Sequence, residues 1–224
     1  MARLISFILL LFLILISQQL LAQWLTKINE PTHRSLHQYN HSQLIAPVTL
    51  TASGAAIGLN AYLHNNIDVS LHDALSDHDV NHLGVENYLQ YVPAVTPFAL
   101  NICGLKGKHG YRDLFCLTAA SYLLVTVVGG GLKYAVAQPR PTGPSLNSFP
   151  SGHTYTAFVG AEILRREYGS EYPGIAIAGY AVASAVGVMR VYNHRHWASD
   201  ILGGAGVGIL CTAAAYWLAP YLTF

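Results

Sequence analysis

The sequence predicts an all-α protein, a membrane-embedded bundle of about five to six helices. The first observation is composition. Of the 224 residues, 52% are hydrophobic and 10% are charged, whereas about a quarter of the residues in soluble globular proteins are charged. The second observation is that the apolar residues form several long segments. The third is that many of these segments are rich in glycine, alanine and serine, small residues that let helices pack closely in lipid.

Six apolar segments follow the polar stretch 27–43, and each is expected to form a helix. They are residues 44–62, 89–105, 113–137, 155–164, 174–192 and 201–219. The segment 155–164 is too short to cross a bilayer alone, and it approaches bilayer thickness when it is extended to Ser151 and Tyr168. No internal repeat or Pro/Gly-rich hinge separates the segments, so residues 23–224 are expected to form one domain.

The first 22 residues have the shape of a signal peptide. Arg3 precedes an apolar run from Leu4 to Ile16, and a short polar break leads to Ala22. Leu20 fits the small-x-small cleavage rule poorly, so an uncleaved N-terminal anchor is the alternative. In both cases the chain is expected to enter the secretory translocon.

Positive charge in short loops predicts the orientation in the membrane, because Lys and Arg mark the cytoplasmic side. Two such loops carry Lys106, Lys108 and Arg112, and Arg165 and Arg166. The helix ends near 137, 151, 192 and 201 would then all face the outside. The net charge of +1 gives no reason to expect a nucleic-acid partner.

This orientation needs one further hypothesis. A signal segment that starts inside delivers residue 23 to the outside, and six complete crossings after it would place the site in the cytoplasm. We therefore expect segment 44–62, which is interrupted by Pro47, Gly54 and Gly58, to pack against the bundle without crossing the membrane fully.

Cysteine and histidine spacing gives no strong metal or redox motif. Cys103, Cys116 and Cys211 lie in apolar stretches without CxxC spacing, and we interpret all three as buried thiols. Two histidine groups lack a catalytic glutamate motif, so we interpret them as solvated amphipathic faces, with zinc binding as the alternative. These groups are His33, His37 and His41, and His72, His78 and His82 near Asp73 and Asp79.

Three short blocks carry candidate residues for binding an anion. In the first, Lys133 is followed seven residues later by Arg140-Pro141. Cations at the end of a membrane helix are costly unless they meet an anion, which makes them functional candidates. Side chains that merely extend to the membrane interface are the alternative.

The second block, residues 149–154, reads Phe-Pro-Ser-Gly-His-Thr and leads directly into an apolar helical segment. Ser151 suits an N-cap position, and the free N–H groups of a first helical turn can bind an anion. Gly152 allows a ligand to approach the backbone closely. Plain helix capping is the alternative for this block taken alone.

In the third block, His196 follows Arg190 after five residues and Asp200 follows after three more. His196 and Asp200 are four residues apart at an expected helix start, so they share a face and the carboxylate can hold one ring nitrogen. The other ring nitrogen is then available to attack a bound group.

The order and spacing of these blocks resemble the type 2 phosphatidic acid phosphatase (PAP2) superfamily. Its signature is Lys-x6-Arg-Pro, then Pro-Ser-Gly-His, then Ser-Arg-x5-His-x3-Asp, and residues 133–200 contain a counterpart of every catalytic position. Two departures are Met189, where the family usually has serine, and Ala198, where many members have proline. Neither departure removes a charged or nucleophilic group.

The resemblance implies a role for each matching residue. His196 would be the nucleophile, with Asp200 fixing its tautomer, and His153 would be the general acid and then the base. The phosphate oxygens would be bound by Lys133, Arg140, Arg190 and the backbone around Ser151 and Gly152. No metal and no cofactor is expected, because three cations take the place of a metal.

The resemblance also implies a substrate class, a phosphorylated membrane lipid. The stretches 106–110, 147–154 and 179–193 are similar to envelope enzymes that dephosphorylate lipid A. Undecaprenyl diphosphate and phosphatidylglycerol phosphate are alternatives, because the motifs bind phosphate and specify neither the lipid tail nor the oligomeric state. Three other hypotheses are a soluble secreted acid phosphatase, a vanadium-dependent haloperoxidase and a non-catalytic lipid-binding or transport bundle. The chain is short for a haloperoxidase.

Overall fold

Eight α-helices and no β-strand make up the part of the chain that the computed structural model describes, residues 41–60, 63–75 and 84–218. The all-α prediction is confirmed for these residues, and the expected signal segment 1–22 lies outside them. The helices are α1 (Ile45–Leu59), α2 (Val69–Leu75), α3 (Glu86–Leu89), α4 (Val92–Ile102), α5 (Tyr111–Val136), α6 (Gly152–Tyr168), α7 (Pro173–Tyr192) and α8 (Ala198–Trp217).

The six longer helices correspond to the six predicted segments. On the site side, α6 and α8 each begin three residues before the expected positions 155 and 201, and the added first turn of α8 contains Ser199 and Asp200. The Asp200 carboxylate accepts the backbone N–H of Trp197 at 2.8 Å and thereby closes this polar first turn. The helices α2 and α3 have seven and four residues, too few for a periodic apolar pattern to predict them.

The central helix of the bundle is α6, which packs against α4, α5, α7 and α8. Ala157, Val159 and Ile163 in its middle are completely buried. Small residues permit the closest contacts, since a Cβ on Gly160 would lie 2.5 Å from the backbone nitrogen of Ala94 at the start of α4. The other helices are therefore arranged around α6.

Successive long helices from α5 to α8 run in opposite directions, which gives the bundle two polar ends. At one end, which we call the His196 end, α5 and α7 finish and α6 and α8 begin. At the other end, which we call the Arg166 end, α6 finishes and α7 begins. At a rise of 1.5 Å per residue, the 17 residues of α6 separate the two ends by about 25 Å.

Among the described residues, three helices, α5, α7 and α8, are long and apolar enough to cross a membrane. Large apolar side chains on α5 and α7 point away from the bundle, and Leu123, Val127 and Ile177 are exposed by 68%, 66% and 69%. An apolar surface of this kind is stable in lipid and not in water. The prediction of a membrane-embedded bundle is therefore confirmed.

The first helix, α1, lies antiparallel to α8, along the half of α8 nearest the His196 end. A Cβ on Gly54 would lie 2.6 Å from the backbone nitrogen of Gly203, and one on Gly206 would lie 2.5 Å from the carbonyl oxygen of Pro47. With 15 residues, α1 is about 22 Å long and is shorter than the three spanning helices. This placement fits the expectation that segment 44–62 packs against the bundle without a full crossing.

The three cysteines differ in their environment. Cys211 is buried, Cys116 is half-buried and Cys103 is exposed. The prediction of three buried thiols was therefore wrong for Cys103. In a membrane protein, an apolar stretch can face lipid as well as the core, and apolar sequence alone does not distinguish the two.

The close contact between α6 and α4 predicts that Gly160→Ala destabilises the protein. The added methyl group would overlap the backbone of Pro93 and Ala94, which cannot rotate away as a side chain can. We expect the free energy of unfolding to fall by about 1–3 kcal/mol, as measured by denaturant-induced unfolding in detergent micelles.

Gly130→Ala on α5 is the matched control, because a Cβ at this position meets nothing within 4 Å. Alanine favours a helix over glycine by about 1 kcal/mol, so this variant should be at least as stable as the parent protein. If both variants had the parent's stability, the packing of α4 on α6 would be contradicted.

Candidate active site

The three sequence blocks meet at the His196 end of the bundle. Lys133 lies in the last turn of α5 and Arg140 in the loop that follows, while His153 lies in the first turn of α6. Arg190 lies in the last turn of α7 and His196 in the turn before α8. Three helices, one loop and one turn thus contribute titratable side chains to one region.

The turn between α7 and α8 sets the position of His196. The backbone N–H groups of Arg195 and His196 donate to the carbonyl oxygen of Arg190 at 2.9 and 3.2 Å, and His194 adopts a positive φ of 54°. The chain therefore reverses tightly and brings His196 beside the first turn of α8. The residue is 2% exposed, so it lies at the bottom of the site.

Asp200 holds the imidazole of His196 through one carboxylate oxygen. Nδ1 of His196 lies 3.1 Å from Oδ2 of Asp200, and the backbone N–H of Trp197 donates to the same oxygen. A carboxylate acceptor at this position places the ring hydrogen on Nδ1. Nε2 is then unprotonated, as a nucleophile requires.

Ser148 also binds Asp200, and the sequence analysis did not identify it as a site residue. Its buried hydroxyl donates to Oδ2 of Asp200 and lies 3.4 Å from Nδ1 of His196. A single serine before the Pro-Ser-Gly-His block gives no separate signal of this role. The donors on Oδ2 offset part of the free-energy cost of burying this carboxylate, while Oδ1 has no hydrogen-bond partner among the described residues.

Burial lowers the pKa of His196 to about 4, and the positive charges of Lys133 and Arg140 act in the same direction. The hydrogen bond and the negative charge of Asp200 oppose this shift of the pKa. Because the pKa lies well below 7, the imidazole is neutral at neutral pH and Nε2 carries a lone pair. Asp200 can then stabilise the positive charge that the ring acquires when Nε2 forms a bond.

Lys133 and Arg140 both bind the loop that leads into α6. Nζ of Lys133 donates to the carbonyl oxygens of Asn147 (2.7 Å) and Pro150 (2.6 Å), and Nε of Arg140 donates to Oδ1 of Asn147 (2.8 Å). The ammonium group therefore shapes the loop while its charge remains in the site. The loop does not engage the Nη groups of Arg140, which leaves the outer edge of the guanidinium for another acceptor.

Ser151 occupies the N-cap position of α6, but its hydroxyl makes no capping hydrogen bond. The hydroxyl accepts a hydrogen bond from Thr154 at 2.9 Å, and the backbone N–H donates to the carbonyl oxygen of Asp200 at 3.0 Å. Capping by the Ser151 hydroxyl was therefore a wrong expectation, because the side chain is buried against α6. The N–H groups of Gly152, His153 and Thr154, in the first turn of α6, precede the first intrahelical hydrogen bond, which the N–H of Tyr155 donates to the carbonyl oxygen of Ser151, so they suit an anion.

Helix α3 contributes a buried carboxylate that the sequence analysis missed. Oε1 of Glu86 accepts hydrogen bonds from Nη1 of Arg190 (3.1 Å) and Nδ2 of Asn193 (2.9 Å). This contact fixes the guanidinium of Arg190 and joins α3 to the end of α7. The available signal was an ionisable residue just before the apolar segment 89–105, where a charge is a functional candidate.

Asn87, the second residue of α3, binds His153. Its Oδ1 lies 2.7 Å from Nε2 of His153. The positive charge of Arg190 also acts on this ring. A bound phosphate would bring negative charge beside the ring and so favour the protonated form that a general acid needs.

The segment between α1 and α2 supports the start of α8. The buried carboxylate of Asp68 accepts hydrogen bonds from the backbone N–H of Ser199 (2.8 Å) and from the hydroxyl of the same residue. Nδ1 of His64 lies 2.9 Å from Asp68. A carboxylate from a neighbouring segment thus caps the helix that carries Asp200.

One member of the expected solvated histidine faces is part of this support. His72 is half-buried, and its ring centroid lies 4.9 Å from that of His194 and 5.2 Å from that of Trp197. The interpretation of His72 as part of a solvated helix face was wrong, because α2 packs on the turn before α8. Within 41–60, 63–75 and 84–218, no group of three or more His, Cys, Asp or Glu side chains is arranged to hold a metal ion. The other histidines of the two groups lie outside the described residues, namely His33, His37, His78, His82 and the side chain of His41.

Comparison with known proteins agrees with this geometry. The sequence profile of the PAP2 superfamily matches residues 114–224, a range that includes every site residue predicted from the sequence, from Lys133 to Asp200. This chain belongs to the PAP2 superfamily. The resemblance seen in the three sequence blocks is therefore confirmed.

A curated protein and two solved structures are among those similar to this chain. A lipid A 1-phosphatase of Porphyromonas gingivalis is 40% identical over 144 residues, 63% of this chain, and the match spans only 32% of that protein. The crystal structure of Aquifex aeolicus LpxE has a TM-score of 0.52 at 24% identity, covering 67% of this chain and 94% of that one. The crystal structure of a transmembrane PAP2-type phosphatidylglycerolphosphate phosphatase of Bacillus subtilis has a TM-score of 0.56 at 21% identity. It covers 80% of this chain and 98% of that one. These structural matches show that the bundle has the PAP2 fold.

Proposed function

We propose that this chain is a membrane phosphatase that hydrolyses a phosphate monoester of lipid A through a phosphohistidine intermediate on His196. The observation that carries the proposal is the buried pair of His196 and Asp200 at the end of the bundle where three cations gather. A neutral imidazole among positive charges suits phosphoryl transfer, in which positioning and charge neutralisation are the main catalytic terms.

In the first step, Nε2 of His196 attacks phosphorus in line with the ester oxygen. The N–P bond forms as the P–O bond to the lipid breaks, and protonated His153 donates its proton to the leaving oxygen. The ring of His196 becomes positively charged at this stage. Asp200 stabilises that charge through Nδ1.

In the second step, water attacks the phosphorus of the phosphohistidine. His153 is now neutral and accepts a proton from the water. The N–P bond breaks with its electron pair returning to Nε2, which releases inorganic phosphate. Both histidines then have the protonation states in which they began.

The charge of the transferred group is stabilised by groups that are already in place. Arg140 and Arg190 bind the phosphoryl oxygens together with the N–H groups at the start of α6, and Lys133 adds positive charge. Preorganised donors of this type are often the largest single contribution to catalysis. We propose that no metal or cofactor is needed, because these cations neutralise the phosphate.

Lipid A is the proposed substrate because the Porphyromonas gingivalis relative is named a lipid A 1-phosphatase and is 40% identical over the aligned residues. A site at the end of membrane helices also suits a substrate that carries acyl chains. Undecaprenyl diphosphate and phosphatidylglycerol phosphate are the alternatives within the same chemistry. The likeness to the Bacillus subtilis structure concerns the fold alone.

Two other functions are disfavoured by the described residues. A soluble acid phosphatase would not present the exposed apolar faces of α5 and α7 to water. A non-catalytic lipid-binding bundle would gain nothing from a desolvated histidine and a buried carboxylate, whose burial costs free energy. Phosphate release distinguishes both from a lipid phosphatase.

We propose that the His196 end faces the periplasm of a bacterial inner membrane. The basic residues Lys106, Lys108, Arg165 and Arg166 lie at the Arg166 end, and cations in short loops favour the cytoplasm. The position of α1 beside only half of α8 supports this orientation, because a helix that does not cross the membrane would add no crossing that reverses it.

The purified protein in detergent micelles should release phosphate from lipid A, and it should do so in the presence of EDTA. His196→Ala should abolish the release because the nucleophile is lost. The lipid product is identified by mass spectrometry, with undecaprenyl diphosphate and phosphatidylglycerol phosphate offered at the same concentration. A higher kcat/KM for either of these would overturn lipid A as the substrate, and dependence on an added divalent metal would overturn the metal-free scheme.

Asn87→Ala should lower kcat because His153 loses the amide that positions its ring. A hydrogen bond of this kind contributes about 1 kcal/mol, so we expect a loss of about fivefold. The loss should shrink with an aryl phosphate, whose leaving oxygen needs less help from an acid. Steady-state kinetics with both substrates measures this difference.

Tyr88→Ala is the control on the same helix, since Tyr88 is 80% exposed and should leave kcat unchanged. In a His153→Ala background, Asn87→Ala should cause no further loss, because Asn87 acts through His153. Additive losses in the double variant would contradict this role.

Cysteine labelling should place the two ends of the bundle on opposite sides of the membrane. Ser145→Cys reports on the His196 end and Lys106→Cys on the Arg166 end, and both positions are exposed. In a Cys103→Ser background, a membrane-impermeant maleimide applied to spheroplasts should label Ser145→Cys directly and Lys106→Cys only after permeabilisation. Labelling of both from the same side, or the reverse pattern, would rule out the proposed orientation.

A further inference from the structure

A cavity of about 600 Å³ opens at the Arg166 end, away from the candidate active site. It lies between the end of α6, the start of α7 and the loop before α5. Its basic wall contains Lys108, Arg165 and Arg166, and its apolar wall contains Ala176 and Ile177. None of these residues takes part in the proposed reaction, which occurs about 25 Å away at the other end of α6.

A single buried carboxylate holds the two arginines in place. Glu162 is 1% exposed and accepts hydrogen bonds from Nε and Nη2 of Arg165 and from Nε of Arg166, all at 2.7 Å. The hydroxyl of Tyr180 also donates to Glu162. Four donors on two oxygens leave this carboxylate little capacity for more. Hydrogen bonds to Glu162 therefore hold the two guanidinium groups of the basic wall in fixed positions, unlike mobile surface side chains.

The cavity carries more positive than negative charge. Two guanidinium groups share the one carboxylate of Glu162, and Lys108 adds a third cation that has no ion pair among the described residues. The other buried carboxylate at this end, Glu167, binds Nδ1 of His109 at 2.8 Å. Glu162 accepts hydrogen bonds from Nε and Nη2 of Arg165 and from Nε of Arg166. Most of the other N–H donors of the two guanidinium groups are left for a further acceptor. An anion would complete this arrangement.

The wall of the cavity opposite the basic residues is apolar and borders lipid. Ile177 is on the lipid-facing side of α7, and α7 is one of the three helices of membrane-spanning length. The cavity thus borders hydrocarbon on one side and charged groups of the membrane interface on the other. Inorganic phosphate would use only the basic wall, whereas a lipid with an anionic headgroup would use both.

We propose that this cavity binds the headgroup phosphate of an anionic glycerophospholipid in the leaflet opposite the active site. The phosphate accepts hydrogen bonds from Arg165 and Arg166 and lies near Lys108, and an acyl chain runs along α7 past Ala176 and Ile177. Anionic lipids are attracted to clusters of basic residues at membrane helix ends. This site does not depend on the reaction proposed for His196.

Native mass spectrometry of the full chain in detergent tests the proposal. Phosphatidylglycerol, phosphatidylcholine and inorganic phosphate are titrated separately against the parent protein, Lys108→Glu and Lys106→Glu. Both lysines are exposed residues of one loop, but Lys108 alone of the two lines the cavity. We expect phosphatidylglycerol to bind, and Lys108→Glu to weaken its binding at least about fivefold, because one basic residue near an anionic lipid contributes about 1 kcal/mol. Lys106→Glu should change the affinity less than about twofold.

A second variant, Ser170→Glu, places a negative charge on an exposed residue that also lines the cavity, and it should weaken phosphatidylglycerol binding in the same way. Equal affinity for phosphatidylglycerol and phosphatidylcholine would overturn the proposal, as would equal losses in the two lysine variants. Binding of inorganic phosphate as tight as that of the lipid would show a free-anion site and would also overturn it. Phosphatase activity of Lys108→Glu, measured in parallel, reports on the catalytic end separately.

Discussion

The buried carboxylate of Asp200 is the group on which both the fold and the chemistry of the His196 end depend. One of its oxygens accepts the backbone N–H of Trp197, which starts α8, and also binds the hydroxyl of Ser148 and Nδ1 of His196. Its backbone carbonyl accepts the N–H of Ser151, which ties the start of α6 to the start of α8. The same residue therefore caps a helix, joins two helices and sets the tautomer of the proposed nucleophile.

Positive charge at both ends of the bundle is held by acceptors that do not fully neutralise it. At the His196 end, loop carbonyls bind Lys133 and the carboxylate of Glu86 binds Arg190. At the Arg166 end, Glu162 binds two arginines. Cations that are fixed before an anion arrives need little reorganisation when it binds. This common feature explains why one end suits phosphoryl transfer and the other suits an anionic lipid.

Sequence reasoning predicted the features that follow from local spacing. Long apolar segments gave the six longer helices, and residues four apart at a helix start placed His196 beside Asp200. Contacts between distant segments were not predictable in this way, because α2, α3 and the segment before α2 are short and have no periodic apolar pattern. The missed contacts are those of Glu86 with Arg190, Asn87 with His153 and Asp68 with Ser199. The exposure of Cys103 and the direction of the Ser151 hydroxyl likewise depend on tertiary packing.

The most direct test of a nucleophilic His196 is to trap the covalent intermediate. The purified enzyme is mixed with lipid A that carries radiolabelled phosphate, quenched within a single turnover and digested under conditions that preserve the acid-labile N–P bond. The proposed mechanism predicts label on the imidazole of His196 and none on His196→Ala. Label on a different residue, or release of phosphate within one turnover without any protein-bound label, would contradict it.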